Sequence, residues 1–504
     1  MTLLNSLGQA ALEVGHPVTL IAILVGVIIG IIIGSIPGLT VSMGMALMLP
    51  FSFVLPTTPA IGLLLGVHIG GITGGSVSAI LLDIPGTPSA AATVLDGQPM
   101  ARGGQAGKAL GTAVMASFAG GMVSLVALIL IAPQLAAIAL NFGAPELFAI
   151  VLLGLTIIVS VSGRSVLKGL IAGLVGLVLM TVGLDPVLGV PRFTFGQVEL
   201  QAGVSLLPAM IGLFAIPQVL EELEPHARGG IQALATRVTA QLPSRSEAKS
   251  LLPTFLRASL IGTAVGIVPG TGGPIASFLA YDQEKRRSRQ SEKFGTGVME
   301  GVAAPEAANN AVTGSALIPM LTLAIPGDPI VAVLMGGLII HGLQPGPLLF
   351  QQQPVFITGI FLSILVAYVL TVIVQLRMIS LFVQVQKVRR PYLLSVIAVL
   401  AVAGSYAVDF SIFAIWTMFF FGVLAYLMRT FGFPVIPVLL AIVLGPILEE
   451  QFRRALIISG GDPTVFFTHT LSLIFILLAV AMLFSPLIQS RILPRVRRLG
   501  GGGS

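Results

Sequence analysis

The sequence has no cysteine and a single tryptophan in 504 residues. Without cysteine there is no disulfide and no thiolate metal site. Charge is scarce as well: 9% of residues are Asp, Glu, Lys or Arg, against 55% hydrophobic. No soluble domain is that apolar over such a length, so a water-soluble globular chain is excluded. A Walker loop is missing, and with it a phosphate cradle for direct ATP drive. The Gly-Thr-Gly-Gly stretch at 270–273 is not set in a strand-glycine-helix unit, and no His-Glu-x-x-His metal spacing occurs. With no paired catalytic constellation in view, the chain does not read as an enzyme. The net charge of +6 could point to nucleic acid in another protein. Here the basic residues sit in short loops between apolar runs, the pattern that sets membrane orientation, so no nucleic-acid partner is expected.

What the chain does have is hydrophobic length. Mean hydropathy is +1.02, and the apolar runs approach the roughly 20 residues that cross a bilayer as a helix. The expected fold is an all-α polytopic membrane protein with about 12 transmembrane helices plus helical hairpins and broken helices. The N-terminus carries no basic segment and no small-residue cleavage site, so its first helix is expected to be retained. The stretch 500–504, Gly-Gly-Gly-Gly-Ser, reads as an appended flexible linker.

Glycine (59) and proline (33) are abundant. Glycine lets helices approach closely, whereas a Pro-Gly break facing lipid would strand backbone groups, so such breaks survive where they line a cavity. Four breaks share one pattern: Ile36-Pro37-Gly38, Ile84-Pro85-Gly86, Val268-Pro269-Gly270 and Ile325-Pro326-Gly327. Pro37 and Pro85 are 48 residues apart, Pro269 and Pro326 are 57 apart, and each second break has another proline two residues past its glycine. Leu-Glu-Glu recurs at 220–222 and 448–450. The chain therefore reads as an internal duplication. A first transmembrane repeat covers 1–221, a polar linker 222–250 (Arg228, Arg237, Arg245 and Lys249 among acids), and a second repeat 251–462. A C-terminal transmembrane helix with a basic tail follows over 463–499.

Loop charge orients these parts. Segments 284–293, 377–390 and the tail are basic and are placed in the cytoplasm with the linker, whereas 51–59 and 343–354 carry no charge and are placed outside. Only Leu251–Asp282 lies between two cytoplasmic segments, so it reads as a helical hairpin broken at Pro269-Gly270. The long helix over 107–140 starts beside Arg102 and Lys108, inside; its counterpart near 350–375 ends at Arg377 and so starts outside. The two halves are thus expected to be inverted, and inverted repeats around a midplane site are a transporter signature.

The motifs that carry these breaks resemble a known family. "GSIPGLT" (34–40), "GGSVSAILLDIPGTPSAAATVLDGQPMARGGQAGKALG" (74–111 region), "GIVPGTGG" (266–273), "PEAANNAVTGSALIPMLTLAIPG" (305–327) and "GPILEEQFRRALIISGGDPTVFF" (445–467) occur in order over nearly the whole chain. Together they are similar to the large membrane subunit of tripartite tricarboxylate transporters. Gln98 and Gly103 stand where that pattern usually has an aromatic and a basic residue, and Asp83 where Asn is common; these departures bear on the substrate rather than on membership. The resemblance implies a multi-pass secondary transporter of the bacterial inner membrane, working with a small membrane subunit and a periplasmic solute-binding protein. It also implies carboxylate substrates such as citrate and related di- or tricarboxylates, and a cation gradient as the driving force.

Few basic residues lie at depth to meet a carboxylate. Broken helices supply the alternative, because a helix N-terminus carries about half a positive charge and free N–H donors. Candidate substrate contacts are Gly38, Thr40 and Ser42; Gly86, Thr87 and Ser89; Gly270, Thr271, Gly272 and Gly273; and Gly327. The alternative reading of each is a capped kink in a packed bundle. Coupling cations, Na+ or H+, have candidate ligands in Ser76, Ser78, Asp83, Asn309, Asn310 and Thr313, for which interhelical hydrogen bonding is the competing reading. Asp96, Glu300 and Glu306 are further acids near the breaks, Asp328 reads as an N-cap, and His68 and His341 as packing residues. Trp416 near Asp409 reads as an interface anchor. No organic cofactor is expected and no metal beyond Na+.

The expected function is cation-coupled carboxylate import by alternating access, with a rocking or elevator movement of the break-bearing unit. A self-sufficient organic anion carrier needing no binding protein shares every one of these features. An anion channel would show a continuous polar or basic stripe, and localised breaks are found instead.

Overall fold

The structure, a computed structural model, describes residues 3–161, 165–185, 188–223, 239–385 and 388–499. Most of the polar linker, with Arg228 and Arg237, and residues 500–504 lie outside the described residues. Among the described residues the one sheet is a short antiparallel ribbon, β1 (Gly183–Leu184) with β2 (Pro191–Arg192), with Gly183 opposite Arg192. Everything else with regular structure is helical. Among the described residues seven helices are long and apolar enough to cross a membrane, and shorter apolar helices accompany them. The chain is an all-α polytopic membrane protein.

The first half runs through α1 (Leu3–Gly15), α2 (Pro17–Ser35), α3 (Val41–Phe53), α4 (Thr57–Leu82), a single 3-10 turn at Pro88–Ala90, α5 (Ala91–Met100) and α6 (Ala106–Ala139). It continues through α7 (Ala144–Val161), α8 (Val166–Met180), α9 (Leu206–Phe214) and α10 (Ile216–Leu223). The second half holds α11 (Arg245–Ile267), α12 (Gly272–Arg287), α13 (Met299–Ser315), α14 (Leu317–Leu323), α15 (Pro329–Ile340) and α16 (Pro347–Gln352). After these come α17 (Pro354–Val385), α18 (Arg390–Asp409), α19 (Ile412–Thr430), α20 (Ile436–Ile458), α21 (Val465–Thr468) and α22 (Thr470–Leu499).

Glycine spacing explains the tightest packing. Gly26, Gly30 and Gly34 of α2 meet the backbone of Leu63, Val67 and Gly71 of α4, while Gly66, Gly70 and Gly74 return the contact on Ile23, Val27 and Ile31. The matched numbers climb together by four, so the two helices run parallel with their backbones in contact, the arrangement small-xxx-small spacing permits. The second half repeats it: Gly262 and Gly266 of α11 rest on Ala308 and Val312 of α13. In each half, then, the first arm of a broken pair packs parallel to the helix that leads to the next break.

All four breaks interrupt helices, and their backbone conformations match in pairs. Gly38 and Gly270, which follow the first proline of each half, have φ of 96° and 82°. The residue two before the second proline is left-handed in both halves, Asp83 with φ 62° and Ala324 with φ 57°. Side chains rarely adopt that region, so the two second breaks share an uncommon backbone conformation. α11 and α12 form a hairpin: Thr254 Oγ1 donates to Glu284 Oε1 at 2.9 Å, and Arg257 Nη2 reaches the same oxygen at 2.6 Å. α6 and α17, the long helices after the second breaks, have 34 and 32 residues.

A further layer packs beside this unit. α20 contacts α7 and α8, α22 lies on α7, and α9 lies on α19, with Gly212 against Met418. The β-ribbon is tied to α20 by ions: Arg192 Nη1 to Glu449 Oε1 at 2.7 Å, and Arg453 Nη2 to Asp185 Oδ2 at 2.8 Å.

Candidate functional site

The four breaks converge on one cavity of about 370 Å³. Thr40 and Ser42 come from the first, Thr87 and Ser89 from the second, Gly272 and Gly273 from the third, and Asp328 and Pro329 from the fourth. α4 contributes His68, α13 contributes Asn309 and Thr313, and α19 contributes Arg429. Three of these side chains are buried with polar atoms that have no hydrogen-bond partner among the described residues. They are His68 Nε2, Thr87 Oγ1, and both Nδ2 and Oδ1 of Asn309. A buried polar group left unpaired costs about 1–3 kcal/mol, so three such groups around one cavity indicate a surface built to meet a polar guest.

The helix ends around the cavity differ in what they offer. Thr40 Oγ1 accepts from Met43 N at 3.2 Å, capping α3. Asp328 Oδ1 accepts from Ile330 N and Val331 N, both at 2.8 Å, capping α15. Thr271 is turned away, its hydroxyl 2.6 Å from Val265 O and 2.8 Å from Val268 O, and α12 therefore begins without a side-chain cap. Thr87 leaves its one-turn helix uncapped in the same way. Uncapped N-terminal amides are the donors an anion needs. Arg429, in the last turn of α19, is the one basic residue on the wall, and its Nη1 lies 3.2 Å from Glu221 Oε1.

Of the remaining sequence candidates, several stand behind the wall. A Cβ on Gly86 would collide with Gly34 O and Ser78 Oγ, and a Cβ on Gly327 with Ala316, so both glycines serve close backbone approach. Gly270 N donates to Gly327 O at 2.8 Å, joining the two breaks of the second half. Gly38 lies beside Gln218, off the cavity. Of the cation candidates, Asn309 and Thr313 line the cavity. Ser76 donates to Thr73 O at 2.8 Å and Ser78 to Gly75 O at 3.4 Å. Asn310 donates to Ser117 Oγ at 2.9 Å and accepts from Thr73 Oγ1 at 3.0 Å. Asp83 is half-exposed and faces Arg102 at 3.4 Å.

Comparison with known proteins gives these residues a context. The profile of the tripartite tricarboxylate transporter TctA family matches residues 20–440. The chain belongs to that family. A protein of Agrobacterium vitis described as an uncharacterized 52.8 kDa protein in the TAR-I ttuC' 3' region is 38% identical over 454 residues, 90% of either chain. A second from the same organism, described as an uncharacterized protein in the TAR-II ttuC' 3' region, is 40% identical over 211 residues, 42% of this chain and 87% of that one. No solved structure matches. Every residue lining the cavity falls inside the stretch matched to the TctA family.

Two features of this TctA-family chain escaped the sequence reading. Arg429 ends an apolar run in the sequence, far from any break, and only the turn into α20 brings it to the cavity. Asp96 is fully buried and accepts from Tyr281 Oη at 2.8 Å, Gly295 N at 3.0 Å, Gly297 N at 2.8 Å and Val298 N at 2.9 Å. It pins α5 to the segment between α12 and α13. The glycines at 295 and 297, both with positive φ, were the available signal.

Proposed function

We propose that this chain is the carrier subunit of a tripartite system that imports carboxylates of the di- or tricarboxylate type across the bacterial inner membrane. A periplasmic binding protein delivers the substrate, a small membrane subunit assists, and a cation gradient drives alternating access. The observation that carries this reading is the cavity where all four breaks meet, with the unpaired groups of His68, Thr87 and Asn309, the uncapped start of α12 and the guanidinium of Arg429 around it. The open amides of α12 and the Arg429 guanidinium supply donors there, and Asp328 Oδ1 is taken up by capping α15. That balance favours an anion with several oxygens.

The architecture supports inverted halves. Thr58 Oγ1 donates to Glu13 Oε2 at 2.8 Å, so the starts of α2 and α4 lie together beside the uncharged 51–59 segment. α11 instead starts at the basic linker and α12 returns to the basic 284–293 segment. The two broken pairs thus enter from opposite faces. Arg429 and the Phe433–Ile436 turn come from α19 and its link to α20, outside the broken pairs, so a guest in the cavity touches both a candidate moving unit and a candidate frame.

Counterflow in proteoliposomes with citrate, succinate and an aromatic carboxylate tests the reading, with and without binding protein and small subunit. Asn309→Ala removes an amide with two unpaired atoms and should weaken apparent affinity by about tenfold, the equivalent of ~1.4 kcal/mol. Absence of counterflow for every carboxylate class, or an unchanged affinity in the variant, would sink it.

A further inference from the structure

One turn of α13 before Asn309, behind the cavity wall, lies a carboxyl with no part in the site above. Glu306 is 0% exposed. Its Oε1 accepts from Thr93 Oγ1 of α5 at 2.6 Å, and its Oε2 from Ser117 Oγ of α6 at 3.3 Å. Asn310, one turn on, donates to the same Ser117 Oγ at 2.9 Å and to Glu306 O at 3.1 Å, while Thr73 of α4 donates to its Oδ1. Three helices therefore meet at one ionisable group, and α4 joins the cluster through Asn310.

The titratable groups on the elements packed against α13 are engaged elsewhere or lie at the helix ends. Lys108 of α6 pairs with Glu247. Arg257 of α11 pairs with Glu284 of α12, and Tyr281 of α12 donates to Asp96 of α5. His68 of α4 lines the cavity, and Tyr368 of α17 bonds Thr313 and Asn310 O. Arg245, Lys249, Asp282, Lys285, Arg286 and Arg287 sit at the outer turns of α11 and α12, and Glu300 opens α13. Among the described residues no Lys, Arg or His bonds to Glu306. A carboxylate at that depth without a cation is costly, and acids so placed in membranes mark ion or proton pathways.

The charge could be cancelled by a proton or by a metal cation, and the geometry separates them. The oxygens of Glu306 and Thr93 are at hydrogen-bond distance, with no gap for an ion between them. The Asn310 amide presents its N–H₂ donor to Ser117, on the carboxyl's side of the cluster, and a donor opposes a cation. The position also suits coupling. Thr93 lies one turn past Ser89, and Glu306 one turn before Asn309, so their hydrogen bond sits behind the point where Ser89 and Asn309 approach each other across Gly273.

We infer that Glu306 is the coupling-proton site of this carrier. One proton forms one O–H bond on the carboxyl, takes its charge from −1 to 0, and leaves as the substrate is released. The inference rests on the carrier reading above, so its test has an arm independent of substrate. Infrared difference spectra of the purified full chain on acidification should show a protonated-carboxyl C=O band that Glu306→Gln abolishes and Asp282→Asn, at an exposed carboxyl, retains. Thr93→Val keeps the carboxyl but removes its 2.6 Å donor, and should move the band to higher frequency. In proteoliposomes, citrate or succinate accumulation driven by a pH gradient should fall at least tenfold in Glu306→Gln, while exchange at equal pH persists at a reduced rate. No counterflow in the unmodified protein defeats the carrier reading and leaves the infrared arm to decide the proton site. A band that survives Glu306→Gln, or accumulation driven by Na+ alone and indifferent to pH, overturns the inference.

Discussion

Gly273→Ala probes the cavity with one methyl group. A Cβ at Gly273 would lie 2.5 Å from Ser89 Oγ and 2.6 Å from Asn309 Oδ1, well inside ordinary carbon–oxygen contact. Both obstacles are the ends of short side chains, so the fold can yield by rotating them. That rotation takes away the groups that face the cavity. Overpacking of this size costs ~1–3 kcal/mol; drawn from binding rather than folding, it amounts to about 5- to 150-fold in affinity. Gly272→Ala is the matched comparison. Its Cβ meets nothing closer than Pro274 Cδ at 3.6 Å, but its φ of 65° strains any side chain, so it should lower thermal stability more than affinity. Counterflow KM and melting temperature, measured on both variants in detergent and in liposomes, separate the two effects. An unchanged KM in Gly273→Ala with a normal melting temperature would refute the assignment of Ser89 and Asn309 to the substrate wall.

Other outcomes follow from the packing. Asp96→Asn forfeits charge-assisted bonds to the amides of Gly295, Gly297 and Val298, should cost ~1.5–3 kcal/mol, and should speed tryptic cleavage at 285–293. Gly30→Val drives a side chain into the backbone of Val67 and Gly71 and should abolish a monodisperse peak in size-exclusion chromatography, whereas Gly8→Val, with nothing within 4 Å, should not. Cysteines placed at Ser244 and Ser288, the caps at the base of the α11–α12 hairpin, should both react with an impermeant maleimide from the cytoplasmic face only; labelling from opposite faces would undo the inverted orientation.

The breaks were legible because Pro-Gly is a strong local signal, independent of what packs around it. The Asp328 cap was legible for the same reason: Pro-Gly-Asp-Pro specifies a helix start within four residues. The division of polar residues between the cavity wall and the layer behind it was not legible. The membrane-spanning window of α4 is buried on every side, and so is nearly all of α13. With no polar face in the sequence, nothing separates Asn309, on the wall, from Asn310, which points at Ser117. Arg429 was hidden by distance along the chain, since it follows the last break by about a hundred residues and reaches the cavity through the α19–α20 turn.

The cavity is not symmetric between the two halves. In a perfect repeat, equivalent breaks would have equivalent caps. Here the caps alternate. At the first breaks Thr40 caps α3, whereas Thr271 turns back onto α11 and leaves α12 open. At the second breaks Asp328 caps α15, whereas Thr87 caps nothing and keeps its hydroxyl unpaired. Each half therefore retains one open turn, and the two open turns are neighbours, because Ser89 abuts Gly273. Two caps hold the breaks rigid and two absences supply donors.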